Sequence, residues 1–231
     1  MPVSEVKIST LDGSGNFSAY LAEPESGEGP GVVLLQEIFG INQNMRDLAD
    51  RYASEGYRVC VPDLFWRIES GVQLDSSTSA GREKAMEIFE QFDPVAGLKD
   101  SMAALAYMRE KSDKVGVVGY CMGGRIAYHM AVLSDADCCV GYYGVGIDTV
   151  LDQAVNIKNP LILHIPAHDH LCPPKAQAKI SEALVDHQQV ALFIYDDAGH
   201  GFARMGGGGY VEAAANLADA RTEEIFTKNL R

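Results

Sequence analysis

The 231-residue chain predicts a layered α/β fold: a mostly parallel central sheet, an antiparallel hairpin at the N-terminus, and helices on both faces. Three observations carry that expectation. Six β-rich runs are apolar throughout rather than alternating, which suits strands covered on both sides. Segments of helical length and period lie between them. No internal repeat, low-complexity tract or linker divides the chain, so a single domain spanning 1–231 is expected.

The elements follow in order. "VKIST" and "FSAYLAEP" flank the turn-forming "LDGSGN" and read as the opening hairpin. The apolar runs are "GVVLLQE" (31–37), "YRVCVPD" (57–63), "KVGVVGY" (114–120), "CCVGYYG" (138–144), "PLILHIP" (160–166) and "VALFIYD" (190–196). Helices are expected over roughly 42–56, 82–91, 95–111, 122–134, 174–186 and 209–229.

Composition narrows the function classes. With 47% hydrophobic and 22% charged residues, the chain can bury a substantial core. It has no long apolar run and no signal-peptide pattern, so a cytoplasmic protein without a membrane span is expected. The formal charge of -13, from 32 acidic against 19 basic residues, argues against nucleic acids and anionic membranes as partners. An anionic substrate would have to be drawn in by a few local arginines. Five cysteines without a CxxC pair speak against a disulfide framework or structural zinc, and no metal or cofactor is expected. Cys60, Cys138 and Cys139 lie in apolar runs and read as small core residues.

The stretch "VGVVGYCMGGRIAYHMA" (115–131) holds the chemistry. Gly119-Tyr120-Cys121-Met122-Gly123 has the G-x-nucleophile-x-G form between a strand and a helix. A sharp turn there strains the middle residue and lifts its side chain off the sheet. Glycines flank it because side chains would strike the neighbouring elements. The helix that follows aims its first N–H groups at the site, favouring a thiolate on Cys121 and an oxyanion beside it. In α/β-hydrolases an acid and then a histidine follow the nucleophile in chain order, each after a later strand. "LILHIPAHDHLCPP" supplies Asp169 and "VALFIYDDAGHGFAR" supplies His200. His200 would be the base, with Asp169 orienting it. "HDH" also raises a metal site, but no second ligand cluster has matching spacing. His164, inside an apolar strand, reads as a satisfied core histidine.

These residues bring a family into view. The chain resembles the dienelactone hydrolases (carboxymethylenebutenolidases) over nearly its whole length, through "QEIFGIN", "GYRVCVPDLF", "VGVVGYCMGG", "VGYYGVG", "HDHLCPP" and "AGHGFAR". The resemblance implies a Cys121–His200–Asp169 triad. It implies that Glu37 partners the resting thiol and takes its proton when substrate arrives. The oxyanion hole would comprise the backbone N–H groups of Ile38 and Met122, the second also following from the general rule for the residue after the nucleophile. Arg82 and Arg204 would grip a substrate carboxylate, and Phe39 and Tyr142 would wall the pocket. A planar guanidinium fork suits a carboxylate. Familiar members carry Tyr and Trp where this chain has Met86 and Phe89, which leaves substrate preference open.

The expected activity is hydrolysis of a dienelactone to maleylacetate through a cysteine thioester, in aromatic-compound breakdown, by a monomer acting on a small carboxylated lactone or ester. The alternative is a broader carboxylesterase or lactonase with the same triad. A thiol redox sensor, with Cys172 as resolving cysteine, is the rival from another class.

Overall fold

The computed structural model describes residues 2–231. The chain forms two compact units, one ending at Gly116 and the other beginning at Val117.

The first unit opens with the predicted hairpin. Strands β1 (Val3–Ser9) and β2 (Asn16–Ala22) pair antiparallel from Val3↔Ala22 to Ser9↔Asn16. Its turn is closed by Thr10, whose backbone and side chain both bond Gly15. Strand β2 pairs antiparallel with β4 (Arg58–Pro62), and β4 pairs parallel with β3 (Gly31–Leu35), giving the order β1-β2-β4-β3. Every residue of β3 is buried, as its unbroken apolar run requires. Helices α1 (Gln43–Ser54), α2 (Ser79–Phe89) and α3 (Pro94–Arg109) start at side-chain caps from Asn42, Thr78 and Asp93 respectively. The loop leaving β4 folds around buried Asp63, which accepts the N–H groups of Phe65 and Gly71. Beyond it, Trp66 and Arg67 donate to buried Asp100 of α3.

The second unit takes up β5 (Val115–Tyr120) from Val117 onward. It continues through α4 (Met122–Leu133), β6 (Cys138–Tyr142), β7 (Leu161–Pro166), α5 (Pro174–Leu184), β8 (Val190–Tyr195) and α6 (Glu212–Leu230). The order is β5-β6-β7-β8, with β6, β7 and β8 parallel. Its core centres on Tyr120, Tyr128, Tyr142, Phe202 and Phe226, all nearly inaccessible.

Several expected boundaries moved for local reasons. Strand β3 stops at Leu35 because the Gln36 side chain takes the N–H of Leu64 and bonds the Glu37 carbonyl, replacing a ladder. Helix α2 starts at Ser79 because Thr78 caps it. Strand β6 ends at Tyr142 because Tyr143 has φ 39°, which no strand accommodates. Two short 3₁₀ turns, Ile147–Thr149 and Leu151–Asn156, follow it and were not expected.

Candidate active site

The turn from β5 into α4 is built as its glycine pattern requires. Cys121 has φ 55° and ψ -114°, a region L-residues rarely adopt, at a cost of about 1–3 kcal/mol. Neighbouring backbone holds it there: its N–H donates to the Tyr142 carbonyl (3.0 Å), and its carbonyl accepts from Arg125 N–H (3.2 Å). A Cβ on Gly119 would lie 2.0 Å from the Gly123 carbonyl oxygen, so only glycine lets the strand pass under the helix. Gly124 has a parallel role, since a Cβ there would lie 2.5 Å from the Tyr142 carbonyl oxygen and keep α4 off β6. No side chain caps α4. Its first N–H groups, Met122's among them, have no intrahelical acceptor, and Cys121 occupies the position directly before them.

His200 lies in the turn after β8 and completes the arrangement. Its Nε2 is 3.2 Å from Cys121 Sγ, and its Nδ1 is 2.9 Å from Asp169 Oδ2. Asp169 is buried at 3% exposure, and its second oxygen accepts the Leu171 N–H at 2.8 Å. An aspartate facing Nδ1 selects the Nδ1–H tautomer, which leaves the Nε2 lone pair facing the thiol. Burial works against protonating His200, but hydrogen bonds to Asp169 and Cys121 prevail and raise its pKa. The arrangement can therefore carry a proton taken from sulfur as an imidazolium.

The other expected site residues divide by unit. In the second, Met122 opens α4 and is nearly buried. Arg204 folds back over the turn that carries His200: its N–H bonds the Gly201 carbonyl, and a Cβ on Gly201 would lie 3.2 Å from its guanidinium. In the first, Glu37 is 1% exposed just beyond β3, followed by half-buried Ile38 and buried Phe39. Arg82, exposed on α2, donates to the carbonyls of Ser76 and Ser77 (2.8 Å each).

Tyr142 requires a correction. It is fully buried, and its hydroxyl reaches Asp219 and Thr222 on α6, so it is a core residue rather than a pocket wall. The next residue, Tyr143, meets the His200 ring edge-on at 5.0 Å. The doublet "YYG" carried no signal of this, because the two rings are parted by the positive φ of Tyr143, which no sequence period shows. His164 is the satisfied core histidine expected, with both ring nitrogens bonded. Cys60, Cys138 and Cys139 are buried.

A strained turn between strand and helix, with a histidine and an aspartate delivered after later parallel strands, defines an α/β-hydrolase. The fold agrees across the chain with solved members of that class. A dienelactone hydrolase-like promiscuous phosphotriesterase from metagenomic libraries superposes with TM-score 0.78 at 20% identity, covering 100% of both chains. A Pyrococcus furiosus esterase does so with TM-score 0.72 at 18% identity, covering 100% of this chain and 91% of its own. Residues 17–230 match the dienelactone hydrolase family. The carboxymethylenebutenolidase of a Pseudomonas species is 37% identical over 219 residues, 94% of this chain and 92% of that protein. The chain belongs to the dienelactone hydrolase family, and it is a carboxylic ester hydrolase.

Proposed function

We propose that the chain works as one α/β-hydrolase domain that opens dienelactone to maleylacetate through a thioester on Cys121. The observation that carries the reading is the unbroken line Sγ–Nε2–Nδ1–Oδ2, with links of 3.2 and 2.9 Å. The Cys121 thiol gives its proton to a base, and the sulfur attacks the lactone carbonyl. The resulting oxyanion rests on the N–H groups of Met122 and Ile38. Collapse breaks the ring C–O bond and expels an enolate, which stays tethered as an acyl thioester and is protonated on its way to the keto acid. His200 then takes a proton from water, whose oxygen attacks the thioester. Sulfur leaves, is reprotonated, and the dicarboxylate departs. An enolate is a good leaving group, so a thiolate suffices where an amide would demand more.

Glu37 is the proposed partner of the resting thiol, and Arg82 and Arg204 the grip on the substrate carboxylate. The position of Arg204, four residues past His200, supports its part. A broader esterase remains the second reading, favoured by Met86 and Phe89, two exposed apolar side chains on α2 (46% and 39%) that carry no hydroxyl for a polar substrate. A redox role through Cys172 is disfavoured: burial, aided by Asp169 and Asp148, pushes that thiol up to about 11, away from the thiolate that exchange requires.

The test is turnover of cis- and trans-dienelactone beside a p-nitrophenyl ester, in native protein and Cys121→Ala. The variant should be inert towards all of them while remaining folded. Undiminished hydrolysis by Cys121→Ala removes the nucleophile, and native activity on the ester alone selects the broader esterase.

A further inference from the structure

Behind the active site, buried polar groups of the second unit form a continuous chain that the reaction does not consume. Arg221, on α6, donates to the Tyr195 hydroxyl at the end of β8 (3.0 Å) and stacks over the Phe193 ring at 3.9 Å. The Tyr195 oxygen lies 2.8 Å from His164 Nδ1. His164 Nε2 lies 3.2 Å from Thr222 Oγ1, which is 2.6 Å from the Tyr142 hydroxyl, and that hydroxyl donates to Asp219 (3.0 Å). His164 and Thr222 are wholly inaccessible to solvent.

Donor counting gives the chain a direction. The Tyr142 hydroxyl spends its proton on Asp219, so the Thr222 proton goes to Tyr142 and to the Ala218 carbonyl one turn back. Thr222 Oγ1 therefore accepts from His164 Nε2–H, and Nδ1 of the neutral ring accepts from the Tyr195 hydroxyl, whose oxygen accepts from Arg221. Burial, with the Arg221 charge nearby, pushes His164 down to about 3, which keeps it neutral throughout the working range. A cation thus stands at one end of the relay and a carboxylate at the other.

The relay terminates on the backbone that shapes the site. The Tyr142 carbonyl accepts the Cys121 N–H, and the His164 carbonyl accepts the N–H of Tyr143, whose ring touches His200. The Tyr195 carbonyl accepts the N–H groups of Ala167 and Ala198, and Ala198 in turn accepts from His168, so the Asp169 and His200 loops are tied together. The Tyr195 ring packs on Phe202 at 4.9 Å, two residues past His200.

We propose that His164, Thr222 and Tyr195 are positioning residues: their hydroxyl–imidazole relay fixes β6, β7, β8 and α6 in the register that brings Cys121 Sγ and His200 Nε2 to 3.2 Å. The inference rests on the Cys121–His200–Asp169 reading above. Thr222→Val removes the hydroxyl while keeping the shape, and Tyr195→Phe breaks the link to His164 in the same conservative way. Both are measured for p-nitrophenyl acetate turnover and for the pH profile of Cys121 alkylation by iodoacetamide, with circular dichroism confirming the fold. Each should lower kcat by about ten- to a hundredfold, change KM by less than about twofold, and shift the alkylation profile. Thr222→Ser, which restores the hydroxyl, should recover native kcat and profile.

A folded Thr222→Val or Tyr195→Phe protein with native kcat and profile overturns the relay. So does a Thr222→Ser protein as impaired as Thr222→Val, or an effect confined to KM. Turnover by Cys121→Ala would instead overturn the triad reading. An inert Cys121→Ala beside a native Thr222→Val leaves that reading intact and sinks the relay alone.

Discussion

Gly119→Ala is the sharpest perturbation of the turn that carries Cys121, because its effect can be worked from one distance. A methyl group at 119 would sit 2.0 Å from the Gly123 carbonyl oxygen and 2.3 Å from its carbon. Both are backbone atoms in the first turn of α4, so no side chain can swing aside. Restoring an ordinary contact of 3.4 Å or more requires a displacement of roughly 1.4 Å between β5 and α4, and about 1 Å of misplacement at a reacting centre costs on the order of a hundredfold in rate. Cys121 lies between the two elements, so its sulfur should leave hydrogen-bond range of His200. Overpacking of this kind costs about 1–3 kcal/mol, which for a chain of this size lowers Tm by roughly 2–4 °C per kcal/mol. The assay is kcat for p-nitrophenyl acetate, with Gly208→Ala as the control, since a Cβ at 208 meets nothing within 4 Å. Gly119→Ala should lose about two orders of magnitude in kcat and the control should be native. A Gly119→Ala enzyme within about twofold of native kcat would show that the turn tolerates the shift, and the close-approach argument would be wrong.

Three further outcomes are expected. Asp169→Asn leaves the site's shape but lets the His200 ring adopt the wrong tautomer, so kcat should fall on the order of 10⁴-fold; a fall under about tenfold would show that Asp169 does not set the tautomer. His164 stays neutral when folded but takes a proton near its ordinary value of 6.5 when unfolded. Below pH 6.5 the unfolded chain therefore binds the extra proton, and stability should decline by about 1.4 kcal/mol per pH unit down to about 3. Urea midpoints for native and His164→Phe proteins should diverge in slope across that window, and parallel slopes would refute the assignment. Asp100→Ala strands the partly buried Arg67 guanidinium and the Trp66 N–H, for an expected loss of about 3 kcal/mol in urea unfolding; a loss below about 0.5 kcal/mol would mark the pair as a solvated one.

The order of elements could be read from the sequence because covered strands and amphipathic helices leave different periods. Both hairpin strands, the six later strands and the six helices all appear where expected, within a few residues. Cys121, Asp169 and His200 were legible for a separate reason: each follows an apolar run and sits in a loop rich in glycine, proline or histidine. Tyr142 was misread because a tyrosine doublet does not announce which ring meets α6 and which meets His200. The answer depends on the positive φ of Tyr143, a tertiary consequence of the adjoining turn. The His164 relay was also hidden, since "LILHIP", "FIYDD" and "ADARTEE" give no hint that their polar groups meet. Such chains are assembled by packing between distant segments, which periodicity does not encode.

The dihedrals of Cys121 imply a debt carried by the resting protein. Whatever energy holds that residue in its unfavoured well is returned on melting, so the chain is softer at its reactive centre than its packing alone would make it. Glycine at 121 would release the tension, and an inert Cys121→Gly protein should outlast the working enzyme in heat.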